Sequence, residues 1–263
     1  MLYISPRPTV KILNVFYPNS PNYKFFNDYI FPASKEIRRE KIFKPRVQKV
    51  LDYCDKYNVK KSKLIEIGTG FGLFCEEMAK TKMFKDIAGV EASNALAETC
   101  ERMGFRLYNG LLENLEINEN FDVAVAFEVI EHIFNPKNFV KKISAILNKG
   151  GILMLTFPNW EGFDISVLRE NSVAVDHEHL NHFTANSITV MLNEIGFKVL
   201  EISTPGELDV DIVSKTVQKE NLKLDPFLKK LCIDKKDTLG ENFQSFLKEN
   251  KLSSHMMVVA IKV

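Results

Sequence analysis

The segment Leu64-Ile65-Glu66-Ile67-Gly68-Thr69-Gly70-Phe71-Gly72 constrains the fold more than any other stretch of the chain. An apolar run leads into Gly-x-Gly-x-Gly, and a helical pattern starts at Leu73. Glycine lets a backbone turn tightly and lets a ligand approach it closely. The helix that follows presents unpaired N–H groups and the positive end of its dipole. Strand, glycine turn and helix in this order suit a polar or anionic ligand group beside the strand ends of an open α/β sheet. The dinucleotide spacing G-x-G-x-x-G would place its third glycine at 73, where the chain has Leu73. Taken alone, the loop also reads as a plain strand-to-helix turn.

The rest of the chain supports the sheet. Strand signals at 63–68, 87–91, 105–108, 121–127 and 151–157 alternate with helical patterns starting at Leu73 and at 94–103, 139–147 and 187–195. Such alternation implies a parallel sheet. Two further strands are expected at 197–203 and 256–263, with a polar, Lys-rich, partly helical insertion at about 211–250 between them. Gly89-Val90-Glu91 closes the second strand with a carboxylate, where ribose hydroxyls find an acceptor in this topology. A solvated glutamate at a strand end is the alternative. Ahead of the sheet, 5–32 reads as an irregular stretch rich in Pro and Tyr, and 34–43 as a charged helix. Pro45 suits the first turn of a second helix, with Val47, Val50, Leu51, Cys54 and Tyr57 at helical spacing.

A formal net charge of +1 gives no basic field for nucleic acid. The four cysteines form no C-x-x-C pair and fit no zinc spacing. No apolar run approaches the roughly 18 residues of a membrane span, and no charged and apolar leader opens the chain. The expectation is a cytoplasmic protein with reduced thiols, no membrane span and an open oligomeric state.

Three further segments carry a family resemblance. These are Phe121-Asp122-Val123-Ala124-Val125-Ala126-Phe127-Glu128-Val129-Ile130-Glu131-His132, Lys149-Gly150-Gly151 leading to Pro158-Asn159, and His182-Phe183-Thr184 with Gly196-Phe197. With the glycine loop and Glu91, they resemble in order the motifs of the class I S-adenosylmethionine-dependent methyltransferases, over about 62–200. The resemblance implies a Rossmann-like α/β fold. Its seven-stranded, mostly parallel sheet has order 3-2-1-4-5-7-6 with the last strand antiparallel, helices on both faces and an N-terminal cap. It implies a cap at 1–60 with substrate-side helices, and a cofactor-binding domain at 61–263 with an insertion at about 204–252.

The resemblance also implies the site. Glu66, Gly68, Thr69, Gly70 and Gly72 would surround the methionine part of S-adenosyl-L-methionine. Glu91 would bind the ribose, with Ala92 against the adenine. Leu111 and Leu112, after Gly110, would lie near the adenine amine, where the family often has Asp. Phe127 and Glu128 would face the sulfonium. A bacterial subgroup associated with surface polysaccharide and modified-sugar biosynthesis is similar around 22–39, 176–183, 204–213 and 252–259. It implies a small-molecule acceptor such as a sugar or nucleotide-linked sugar. Many of its members open on a Cys-rich zinc segment that is missing here, so no metal is expected.

Methyl transfer requires an acceptor held in line with the methyl group, and a base when the acceptor is a hydroxyl. Histidine suits that role near neutral pH. His132 follows the fourth strand, and His177, His179 and His182 lie between the fifth strand and the next helix. Both places fall at the strand ends where ligands bind. His179, His182 and His132 are the candidates for catalysis; bracing a helix or bonding locally are the alternatives. His255 reads as structural. Arg38, Arg39, Lys41, Lys44 and Arg46 form either a solvated helix face or an anion clamp. Tyr17, Tyr23, Phe25, Phe26, Tyr29 and Phe31 either cover an acceptor pocket or pack on the core. Two other functions fit less well. A non-catalytic scaffold would not need the intact loop with Glu91. A nucleotide-cofactor oxidoreductase meets Leu73 in place of glycine and no Tyr-x-x-x-Lys after the fourth strand.

Overall fold

The computed structural model describes all 263 residues of the chain, apart from the side chain of Tyr23. A two-residue strand β1 (Leu2–Tyr3) precedes the helices α1 (Val10–Asn19), α2 (Pro21–Phe25), α3 (Phe31–Arg38) and α4 (Lys44–Lys56). The sheet region then runs β2 (Lys63–Ile67), α5 (Leu73–Thr81), β3 (Asp86–Glu91), α6 (Asn94–Arg102), β4 (Arg106–Asn109), β5 (Phe121–Phe127), α7 (Pro136–Ile146) and β6 (Leu147–Pro158). After α8 (Phe163–Leu168), β7 (Asn181–His182) and α9 (Ala185–Glu194) comes β8 (Phe197–Ser203). Helices α10 (Asp209–Lys219), α11 (Pro226–Lys229) and α12 (Glu241–Glu249) lead to β9 (His255–Lys262).

The main sheet has the order β4-β3-β2-β5-β6-β9-β8. With β1 and β7 set aside as their own two-stranded pair, this is the 3-2-1-4-5-7-6 order implied by the sequence motifs. The two pairings that β9 makes, with β6 and β8, are antiparallel, and the other four pairings in this sheet are parallel. All seven residues of β5 are buried, which explains a strand that reads as a continuous apolar run. Ala124 and Ala126 face a core formed with Phe139, Val140 and Ile143 of α7 and Ile188 and Leu192 of α9. Val123, Val125 and Phe127 face the opposite core, shared with Val47, Val50 and Cys54 of α4 and Phe74 and Met78 of α5. Small residues on one face of β5 and larger ones on the other let two helical layers approach the same strand.

The N-terminal stretch differs from expectation. Residues 5–32 are largely helical rather than irregular. Thr9 caps α1 by accepting a hydrogen bond from the Ile12 N–H, which starts a helix where proline content suggests none. From Pro21 to Lys56 the chain is helical throughout, with π-turns at Phe26–Ile30 and Arg39–Phe43. Pro32 and Pro45 follow these π-turns, each in the first turn of the next α-helix. The wider turns accommodate the ladder bonds that a proline nitrogen cannot donate.

The insertion between β8 and β9 is helical, and its Val210, Val213, Leu231, Cys232 and Leu247 form a small core with Leu168 of α8. Buried Asp209 anchors it, accepting hydrogen bonds from the Ser253 hydroxyl (2.6 Å), the Ser254 N–H (2.6 Å) and the Gln244 amide (2.7 Å).

Candidate functional site

The glycine turn after β2 and the C-terminal end of β3 are tied together. Glu91 accepts the Gly70 N–H on one carboxylate oxygen and the Ser93 N–H on the other, each at 2.8 Å. Each oxygen keeps a lone pair for a further donor. Burial raises the Glu91 carboxyl above its ordinary range, while these N–H groups draw it down. Gly68, Gly70 and Gly72 all have positive φ, so the loop depends on residues free to adopt left-handed backbone. They differ in what surrounds them. A Cβ on Gly68 would strike Val129, and one on Gly72 would press on Cys100, whereas one on Gly70 would meet no protein atom and project into open space.

That space is a cleft of about 640 Å³. Its lining comes from two sets of segments: Gly68, Gly70, Glu91, Ala92, Leu111 and Leu112 at and after the ends of β2, β3 and β4, and Glu128, Val129, His132, Glu178 and His179 from the stretches after β5 and before β7. Tyr17 and Phe26, from α1 and the π-turn after α2, line it as well. The helices reach the loop through Phe71, whose ring stacks face to face on Phe31 at 3.6 Å.

The second side is made of side chains. Glu128 has φ +57°, a strained conformation for a residue other than glycine. Its carboxylate accepts the Thr156 hydroxyl and lies 3.4 Å from Arg46 and 3.6 Å from His255. Arg46 sits over the Phe127 ring at 4.5 Å. His132 and His179 face each other at 4.8 Å between ring centroids. Burial and the neighbouring His179 push His132 down to about 4, which suits a neutral imidazole better than a base working near neutrality.

The residues expected from the sequence separate accordingly. Gly68, Gly70, Glu91, Ala92, Leu111, Leu112, Glu128, His132 and His179 line one cleft. Glu66 does not line it. Its buried carboxylate accepts the Cys75 thiol (3.1 Å), and burial pushes it up to about 8. Thr69 turns toward Gly89 and Cys100, Gly72 starts α5, and Phe127 packs edge-on against Phe74, so none of these three lines the cleft. His182 is a further correction. It pairs with Leu2 across the small sheet and rests against Trp160 at 4.7 Å, buried by packing and off the cleft. His177 is exposed. The basic run divides by position: Arg46 reaches Glu128, Arg39 pairs with Glu76 and Glu77 of α5, and Lys44 pairs with Glu40 on the surface.

Sequence reasoning missed Glu113, which lines the cleft with one buried oxygen lacking a hydrogen-bond partner. It also missed Glu131 and the approach of His255 to Glu128. The Glu-x-x-Glu-His spelling of 128–132 is the one signal that could have found Glu131.

A family model described as a methyltransferase domain matches residues 36–202, well over half of the chain. An uncharacterized protein of Methanocaldococcus jannaschii is 26% identical over 167 residues, covering 63% of this chain and 78% of that protein. A ubiquinone biosynthesis O-methyltransferase of Bradyrhizobium sp. is 28% identical over 114 residues, covering 40% of this chain. The match spans 44% of that enzyme's length, less than half. The fold is also that of an S-adenosylmethionine-dependent methyltransferase from Clostridium acetobutylicum (TM-score 0.59, 14% identity, covering 90% of this chain and 98% of that one). Glycine loop, bound carboxylate, strand order and family match agree, and the chain belongs to the methyltransferase domain family, as an S-adenosylmethionine-dependent member.

Proposed function

We propose that the chain transfers a methyl group from S-adenosylmethionine to a hydroxyl of a small polyhydroxylated acceptor, a sugar or nucleotide-linked sugar. The observation that carries this reading is that one cleft is lined both by the glycine loop with Glu91 and by the polar side chains of Glu128, His132, Glu178 and His179. The residues of the first side fit the cofactor. The remaining lone pairs of Glu91 suit the ribose hydroxyls, the space beside Gly70 admits a ligand where a Cβ would otherwise project, and Leu111 and Leu112 suit an adenine face. The unpartnered oxygen of Glu113 suits the adenine amine, taking the part that Leu111 cannot. Bound there, S-adenosylmethionine supplies an electrophilic methyl carbon.

The second side holds the acceptor. Glu128, Glu178, His132 and His179 offer hydrogen-bonding groups suited to several hydroxyls, and Tyr17 and Phe26 add aromatic rings to the same cleft. Holding the acceptor oxygen in line with the methyl carbon is the main task of this wall. A phenolic acceptor is the competing reading, drawn from the printed name of the ubiquinone enzymes. The test is a panel of nucleotide sugars and catechol-type phenols incubated with S-adenosylmethionine and read by mass spectrometry. Methylation confined to the sugars is expected. Methylation confined to the phenols overturns the acceptor class, and methylation of neither, with no binding of S-adenosylhomocysteine, overturns the cofactor reading.

A further inference from the structure

We infer that Glu131, His132 and His179 form a binding site for one divalent first-row transition-metal ion at the acceptor side of the cleft. Each of the three offers one ligand atom, and these atoms lie within 4.8 Å of one another. His132 and His179 line the cleft, and Glu131 sits behind them, 1% exposed.

The hydrogen bonds of the two imidazoles fix which nitrogens are free. A carbonyl oxygen only accepts, so each ring nitrogen facing one carries the proton. The Nδ1–H of His132 donates to the Glu178 carbonyl (3.0 Å), and the Nδ1–H of His179 donates to the Ala174 carbonyl (2.8 Å). Both rings then keep a bare lone pair on Nε2. An imidazole that donates one nitrogen's proton to a carbonyl and presents the other is the arrangement that metal-ligating histidines use.

The carboxylate between them is the second observation. Both oxygens of Glu131 are buried without a hydrogen-bond partner among the described residues. Nε2 of His132 lies 3.9 Å from one of them, beyond hydrogen-bond distance. A buried carboxylate is costly unless it is paired or bound to a metal. Its turn is held in place from behind, because the Asn181 amide donates to the carbonyls of Glu131 (3.4 Å) and Ile133 (2.6 Å). The fold thus holds two imidazole lone pairs and an unpartnered buried carboxyl group together, and a cation satisfies all three.

Two imidazole nitrogens and one carboxylate oxygen suit Zn²⁺, Fe²⁺, Co²⁺ or Mn²⁺, with positions left open for other ligands. Bonds of about 2.1 Å space ligand atoms roughly 3–3.5 Å apart, so the cluster closes by about an ångström on loading. The open positions face the cleft, where a hydroxyl oxygen of the acceptor fits as a further ligand.

The experiment uses the purified full chain, stripped of metal and titrated with Co²⁺ and Zn²⁺. One equivalent of Co²⁺ is expected to bind with visible d–d absorption that Zn²⁺ displaces. Glu131→Gln and His179→Ala should each weaken binding by about 100-fold or more, since removing even an outer-sphere partner costs 10–100-fold. His177→Ala should bind as the wild type does. Titration with S-adenosylhomocysteine, expected to be unchanged in each variant, reports folding and keeps this result separate from the cofactor reading. If a variant fails to fold, the wild-type Co²⁺ spectrum decides. Absence of the visible bands, or equal binding by folded Glu131→Gln, overturns the site.

Discussion

The two sides of the cleft are built by different means. The loop side is built largely of backbone held by one carboxylate: Glu91 accepts two N–H groups and still has lone pairs to offer, while one oxygen of Glu113 nearby has no partner among the described residues. The opposite side is made of side chains brought from distant segments, and its central carboxylate at Glu131 has no partner. A site for a constant ligand is preformed by local backbone. The proposed acceptor side depends on side chains from distant segments, and one of them, Glu131, is left without a partner among the described residues. Substitutions at the loop, at the residues that support it and on the opposite side should therefore have distinct effects.

The largest effect is expected from Gly70→Val. Its φ of +54° is unfavourable for a β-branched residue, and its side chain would project into the cleft. Affinity for S-adenosylhomocysteine should fall by about 100-fold or more, roughly 3 kcal/mol, as read by calorimetry. Retained affinity would mean that the ligand does not occupy the space beside the loop.

Phe31→Ala comes next and affects stability. The ring is buried and stacked on Phe71 of the glycine loop. Losing a buried Phe costs about 3–5 kcal/mol in a well-packed core, and this peripheral site should lie near the lower figure. Thermal unfolding should show a melting temperature lower by several degrees. A shift within error would mean that the helices do not depend on this stack to dock.

The third is a pH effect at Glu66. Burial holds its carboxyl at about 8, against 4.5 for the free group. Between these values the folded chain binds a proton that the unfolded chain has lost. The unfolded state then binds fewer protons, so stability falls as pH rises through this window and levels off above it. Glu66→Gln removes the titration. The melting temperature of the wild type should drop relative to the variant from pH 5 toward about pH 8, and parallel curves would contradict the assignment.

The smallest effect is expected from His177→Ala. The side chain is 89% exposed, so turnover should equal the wild type in a methyl-transfer assay. A large loss would move the chemistry from the buried end of this loop to its surface.

What the sequence made legible follows the same division. The glycine loop and Glu91 were readable because their roles come from local backbone and fixed spacing, and the strand order followed from motifs in series. The helices at 34–43 and from Pro45 were readable too, whereas those within 5–32 were not, because the Thr9 cap and a π-turn ahead of Pro32 let a proline-containing stretch be helical. On the acceptor side, His179 and His182 looked equivalent in sequence. Only the fold separates them: β7 turns His182 onto Trp160, while His179 faces His132. Glu131 was hidden for a similar reason. A glutamate after a strand reads as solvated, and its burial depends on Asn181 and the turn packed around it.

The most direct test of this division is one calorimetric titration of S-adenosylhomocysteine carried out on two variants, Glu91→Ala and His179→Ala. Removing a charged acceptor costs roughly 1.5–3 kcal/mol, so Glu91→Ala should bind about tenfold or more weakly, while His179→Ala should bind like the wild type. Unchanged affinity in Glu91→Ala, or an equal loss in both variants, would contradict the separation of cofactor and acceptor sides.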